Sequence, residues 1–391
     1  MRSHPEIPAR MQGVQDPVIP IVGEWIRDNP GTISLGQGVV SWGPPPEIYS
    51  GIAAFREEPD NHKYQLVQGI PQLLGCIQSK LAADNNIWVR AQERVVVTAG
   101  ANMGFMNSIL TVTDPGDEVI LPAPFYFNHE MAVRIAGCVP RVVPTDENNQ
   151  LQPALLAEAV NERTRAIVTI SPNNPSGAVY PEADIRAVNT ICADRGLYHI
   201  TDEAYEYFTY GGARHFSAGC IQGAGEHTIS LFSLSKSYGF ASWRIGYMVI
   251  PPHLMVPVKK IQDTNLICPP VISQHAAVAA MNAGPTAFAT GIRALAGVRE
   301  KIIRLLAGLG DKATFGPADG AFYFLLNVRS QQKPLELVRQ LVERHKVAVM
   351  PGTAFGLEEG CQLRVAYGAL SPENALEGMG RLVEGLQALT D

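Results

Sequence analysis

Lys236 stands in the run Ser233-Leu234-Ser235-Lys236-Ser237, just past an apolar segment, and Arg244 follows eight positions later. A protonated lysine amine is a poor nucleophile. In a partly desolvated site beside other cations its pKa falls, and it can then form a Schiff base with an aldehyde. Ser233, Ser235 and Arg244 offer the hydroxyl and guanidinium contacts that bind a phosphate. A lone lysine in a Ser-rich loop is more often simply solvated, so its meaning depends on the segments around it. Two other polar turns follow apolar runs, SPNNPSG at 171–177 and TDEAY at 201–205. Taken alone, Asn-Pro and Ser-Gly are turn formers, and Asp-Glu ahead of an apolar stretch is an ordinary helix start. VVVTAGANMGF at 95–105 runs from a strand through a small-residue turn into a helix, which turns backbone N–H groups toward an anion. It is not the GxGxxG fingerprint of dinucleotide folds.

The elements that must position these residues are legible. Six strand-like runs, 94–99, 118–122, 166–171, 198–202, 229–233 and 245–250, alternate with helical patterns. This predicts an α/β fold with a mainly parallel sheet wrapped by helices, whose sites gather at the carboxyl ends of the strands. Beyond residue 250 the pattern changes to a helical stretch near 287–308 and then mixed strand and helix, which reads as a second, smaller domain. The first thirty or so residues read as irregular and proline-rich, either an arm on another subunit or part of the small domain. With 391 residues and 46% hydrophobic content there is material for more than one domain. A net charge of -6 and only 17% charged residues provide no basic field for nucleic acid or anionic membrane. No apolar stretch approaches the roughly 20 residues of a membrane span, and no secretion signal is evident, so the expected compartment is cytoplasmic. Six scattered cysteines form no CxxC pair, so no metal is expected and they read as buried thiols.

The order of the motifs resembles that of the class I and II aminotransferases, the fold type I enzymes dependent on pyridoxal 5'-phosphate, over nearly the whole chain. That resemblance implies a seven-stranded, mainly parallel sheet in a large domain at 46–285. The smaller α+β domain comes from the C-terminal third, 286–391, and part of an N-terminal segment, 1–45. It implies that Lys236 forms the Schiff base with the cofactor and moves the substrate's Cα proton to the cofactor's C4′. Ser233, Ser235, Arg244, Gly100, Ala101 and Asn102 would hold the phosphate. Asn174 and Tyr205 would bond the phenolic oxygen, and Tyr126 would stack on the ring. Asp202 would hold the pyridine nitrogen, and a carboxylate there keeps the ring protonated and so a better electron sink. CQLRVAYG at 361–368 resembles the strand whose arginine pairs with the substrate α-carboxylate, which assigns Arg364 to that task. SLGQG at 34–38 resembles the family's loop that approaches the substrate, which implies that Gly38 lies near the same carboxylate. Tyr64 matches a tyrosine that reaches the neighbouring subunit's cofactor phosphate, which implies a homodimer with shared active sites.

The chain departs from the pattern in two places. VVSWGPP follows SLGQG where relatives commonly read close to Pro-Asp-Phe, and Leu74 replaces a common arginine. No further cation declares itself for a substrate side-chain carboxylate, so neutral or aromatic L-amino acids are the expected donors and a 2-oxo acid the acceptor. The same cofactor and residues serve β-lyases and amino-acid oxidases. Aminotransferase-like domains also act as sensors in regulators, although no additional basic DNA-binding segment is present here.

Overall fold

A computed structural model describes residues 7–390 of the chain. Seven strands form the larger sheet: β1 (Val95–Thr98), β2 (Glu118–Ala123), β3 (Val139–Pro144), β4 (Thr164–Ile170), β5 (Tyr198–Asp202), β6 (Thr228–Ser233) and β7 (Gly246–Val249). Their lateral order is β1-β7-β6-β5-β4-β2-β3. Strands β2 to β6 pair in parallel, and β7 is antiparallel to both β6 and β1.

Strands β1, β2, β6 and β7 are buried at every position, which is why they read as unbroken apolar runs. Alternate side chains go to opposite faces. Val95, Val97, Phe232, Tyr247 and Val249 join one apolar cluster, while Val96, Leu231 and Met248 join another. Strand β3 is absent from the six runs read in the sequence. It is an edge strand, mostly exposed, and carries Pro140, Arg141 and Pro144. An edge tolerates prolines because one side of the strand has no partner awaiting an N–H.

The smaller sheet comprises β8 (Ala313–Phe315), β9 (Tyr323–Val328), β10 (Met350–Pro351) and β11 (Cys361–Ala366), antiparallel in the order β10-β11-β9-β8. Helices Thr286–Leu306, Pro334–His345 and Pro372–Leu389 contribute to the same apolar core. The expectation of an irregular N-terminal segment is corrected over its described part, where Val18–Asp28 is a helix. Val18, Val22, Trp25 and Ile26 lie on one face and pack into the small-domain core. Pro17 and Pro20 sit at the start of this helix, where a missing N–H costs little. Ile33–Ser34 then pairs in parallel with Val347–Ala348. The cysteines are likewise not all buried: Cys138, Cys192 and Cys361 are, while Cys76, Cys220 and Cys268 are half-buried.

The carboxyl ends of the parallel strands β4, β5 and β6 lie along one edge of the sheet. The chain leaving β5 passes directly into the other layer, for Tyr205, Phe208 and Tyr210 belong to the small-domain cluster. A cleft opens where that edge meets the smaller sheet.

Candidate active site

The cleft, open to solvent, has a volume of about 530 Å³ and is lined by Lys236, Asp202, Asn174, Tyr126, Tyr205 and Arg244, among others. Each sits at an element boundary. Asp202 is the last residue of β5 and Ser233 the last of β6. Asn174 lies in the turn after β4, a turn organised by Asn173, whose Oδ1 accepts from the Ser176 amide at 3.0 Å and hydroxyl at 2.7 Å.

One end of the cleft is built for an anion. Helix Ala101–Val112 begins at Gly100, whose φ of +82° suits glycine, and no side chain caps its first turn. Ala101, Asn102, Ser233, Ser235 and Arg244 all face the cleft here. The Arg244 guanidinium donates to the carbonyls of Ala241 at 2.9 Å and Ala99 at 3.1 Å. It crosses Gly100 so closely that a Cβ there would collide with it.

The other end carries a carboxylate. Asp202 Oδ1 accepts from the Ala204 amide at 3.0 Å, and Oδ2 lies 3.1 Å from His129 Nε2. His129 is buried and stacked on Phe105 with ring centres 3.9 Å apart. Lys236 lies between the two ends and donates from Nζ to the Gly38 carbonyl at 2.5 Å. Burial pushes its amine down to about 8; Asp202 opposes that shift, while Arg364 and Arg244 add to it.

Arg364 approaches from β11. Its guanidinium donates to Asn174 Oδ1 at 3.0 Å and the Gly36 carbonyl at 2.6 Å, between the rings of Tyr323 and Phe355. Its Nε is buried without a partner. Tyr126 faces the cleft, whereas Phe125 is packed beside Gly356. Tyr64 is 79% exposed and does not line the cleft of its own chain. Leu74 is a core residue.

Three residues near the site were not singled out from the sequence: His129, Tyr323 and Trp42. Trp42, in the departing VVSWGPP loop, donates from Nε1 to the Ser237 carbonyl at 2.9 Å and so holds the turn beside Lys236. A histidine in a helix or a tyrosine opening a strand has no spacing that separates it from core. His129 at least lies three residues beyond Tyr126, to which the resemblance assigns the ring-stacking role.

These donors fit a phosphate-tailed pyridine aldehyde. There is an uncapped helix start with two hydroxyls and a guanidinium for the phosphate, a carboxylate for the ring nitrogen, a lysine between them, and an arginine with a free buried Nε for a substrate acid. A profile described as aminotransferase class I and II matches residues 30–382. The aromatic aminotransferase ISS1 of Arabidopsis thaliana is 32% identical over 97% of this chain and 96% of its own length. The probable aspartate/prephenate aminotransferase of Aquifex aeolicus is 34% identical over 91% of each chain. Among solved structures, Thermus thermophilus aspartate aminotransferase with maleate superposes with a TM-score of 0.89 at 28% identity, covering 98% of this chain and all of that one. The chain belongs to the class I and II aminotransferases and adopts their fold. It is an enzyme dependent on pyridoxal phosphate that moves amino groups between amino acids and 2-oxo acids.

No helix among the described residues is long and apolar enough to cross a membrane. Nor do the described residues hold a group of three or more His, Cys, Asp or Glu side chains that could bind a metal.

Proposed function

We propose that the enzyme takes its amino group from a neutral or aromatic L-amino acid, and that the residues of the cleft divide the work as follows. When bound, pyridoxal phosphate supplies an aldehyde for an amine and an electron sink for the bond broken at the substrate Cα. Lys236 holds the aldehyde in the resting enzyme. With substrate bound, the Lys236 amine would accept the Cα proton and return it at C4′. Asp202, fixed by His129 and the Ala204 amide, holds the proton at the pyridine nitrogen. Gly100, Ala101, Asn102, Ser233, Ser235 and Arg244 bind the phosphate, and Tyr126 stacks on the ring. Asn174 and Tyr205 bond the phenolic oxygen. Arg364 takes the substrate carboxylate, with Gly38 and Asn174 beside it.

The observation that carries this reading is the Lys236 amine, lowered to about 8 and placed in one cleft with Asp202 and the uncapped helix start at Gly100. The donor preference is supported by the cations at the cleft: Lys236 and Arg244 line it and have tasks already, and Arg364, bonded to the lining residue Asn174, is used by the α-carboxylate. The same reading makes the enzyme a homodimer in which Tyr64, exposed on its own chain, reaches the neighbour's phosphate. It divides the chain at residues 45 and 285 into N-terminal, cofactor and small C-terminal parts. It also places the enzyme in the cytoplasm, where six unpaired thiols are stable.

The test is to add single amino acids to the purified holoenzyme without an acceptor. Loss of the bound cofactor's absorbance band with release of an equivalent of 2-oxo acid, fastest for aromatic or other neutral donors, supports the reading. Faster conversion by aspartate or glutamate overturns the donor preference and leaves the lysine chemistry standing. No conversion by any amino acid overturns both.

A further inference from the structure

Tyr205 and Tyr323 meet hydroxyl to hydroxyl at 2.6 Å in the buried floor of the cleft. Tyr205 follows β5 of the larger sheet and Tyr323 opens β9 of the smaller one, so the contact crosses between the two layers. Both phenols stay protonated near neutral pH, since burial pushes Tyr323 up to about 12 and holds Tyr205 well above the usual phenol range. Each oxygen therefore has a single proton to give. Only Tyr205 lines the cleft. Tyr323 is fully buried, and its oxygen lies 2.5 Å from where a Cβ on Gly38 would stand. Among the described residues, Tyr205 is the one hydrogen-bond partner of the Tyr323 hydroxyl.

Counting protons fixes the direction of this bond. If Tyr205 gives its proton to the phenolic oxygen of the cofactor, it has none left for Tyr323. We infer that Tyr323 is a positioning residue: it donates to the Tyr205 oxygen, turns the Tyr205 proton toward the cofactor, and ties that hydrogen bond to the seating of the smaller sheet. The inference rests on the roles given above to Lys236 and Tyr205. A donor that is itself hydrogen-bonded at its oxygen becomes a stronger donor. The seating matters because β9 pairs with β11, Tyr323 opposite Ala366 and Leu325 opposite Arg364, and the Arg364 guanidinium lies 5.0 Å from the Tyr323 ring centre. The residue that takes the substrate carboxylate and the residue that orients Tyr205 thus share one piece of sheet.

Tyr323→Phe removes one oxygen and leaves the ring under Arg364. A weaker donor at the phenolic oxygen disfavours the deprotonated form of the bound chromophore. The pH midpoint of its absorbance should rise by about half a unit to one unit. The rate constant kcat should fall by about 2- to 10-fold while KM changes by less than about 2-fold. In a Tyr205→Phe background the same substitution should add no further shift, because Tyr323 acts through Tyr205. Gly38→Ala is a second route that drives a methyl group into the Tyr323 oxygen; because the Gly38 carbonyl also accepts from Lys236, the shift expected through Tyr323 is the part that disappears in the Tyr205→Phe background, which keeps the test open should Tyr323→Phe fold poorly. A midpoint unmoved by both variants, or an equal shift in the Tyr205→Phe background, overturns the inference. A wild-type protein that shows no absorbance band of lysine-bound cofactor at any pH overturns the role given to Lys236 itself, which is a different result from a titrating wild type that ignores Tyr323.

Discussion

The two walls of the cleft are built by different means. On the larger sheet, Asn174, Asp202 and Ser233 sit at or just beyond the carboxyl ends of adjacent parallel strands, so a few local residues fix each of them. Behind the cleft on the small-domain side, Arg364 reaches Gly36 across 328 residues and Trp42 reaches Ser237 across 195. Under the roles proposed above, the groups that serve the cofactor stand on the wall of strand ends, where backbone hydrogen bonding holds their positions, and the group that grips the substrate acid stands on the side assembled from distant segments. Substitutions on the first should act chiefly on kcat, and loss of the Arg364 fork chiefly on KM; Tyr323, although on the smaller sheet, goes with the first because it acts through Tyr205.

Lys236→Ala is the severest test of that division. It should remove turnover by on the order of 10⁴-fold or more and abolish the absorbance band of the lysine-bound cofactor. A variant that kept activity within about tenfold of wild type would place the chemistry elsewhere. Arg364→Lys keeps the charge and loses the planar fork, so kcat/KM should fall by about 10- to 100-fold, mostly through KM. A loss confined to kcat would erase the distinction between the walls.

The pH dependence of cofactor uptake sharpens the first wall further. Only the neutral amine attacks an aldehyde, so protonation of Lys236 slows the reaction. With its pKa lowered to about 8, the rate of reconstituting cofactor-free enzyme should rise with pH and level off above about pH 8. A lysine at the ordinary value of about 10.4 would give a rate still climbing through pH 9. The smallest effect belongs to Trp42→Phe, which keeps an aromatic ring and loses the donor to Ser237. A fall of about 2- to 10-fold in kcat/KM is expected, with the fold intact by circular dichroism.

The same contrast explains what the sequence disclosed. Lys236, Asp202 and Asn174 follow short apolar runs, and a polar residue at the end of a buried strand stands out by type. Strand β3 did not stand out because its prolines argue against a strand and only its edge position permits them. The helix Val18–Asp28 was hidden by Pro17 and Pro20, which sit where a helix accepts them, although Val18, Val22, Trp25 and Ile26 carry its spacing. Tyr323 and His129 were invisible for another reason. Their roles depend on contacts with Tyr205 and Asp202 that join separate elements, and no local pattern records such a meeting. Arg364 was reached through a resemblance of its strand; its fork between Asn174 and the Gly36 carbonyl is a property of the assembled fold.

The bond from Arg364 to the Gly36 carbonyl also bears on how the protein comes into being. Contacts between residues so far apart in sequence carry a large loop-closure entropy and form late. On the ribosome, Gly38 and Trp42 meet Lys236 and Ser237 once those emerge, but Gly36 has to wait for almost the entire chain before Arg364 exists. Strands β4 to β6 can assemble well before that. A nascent chain halted before residue 361 would therefore carry Lys236 and the helix start at Gly100 without Arg364, and the proposed grip on a substrate acid would arrive only with the last few dozen residues synthesised.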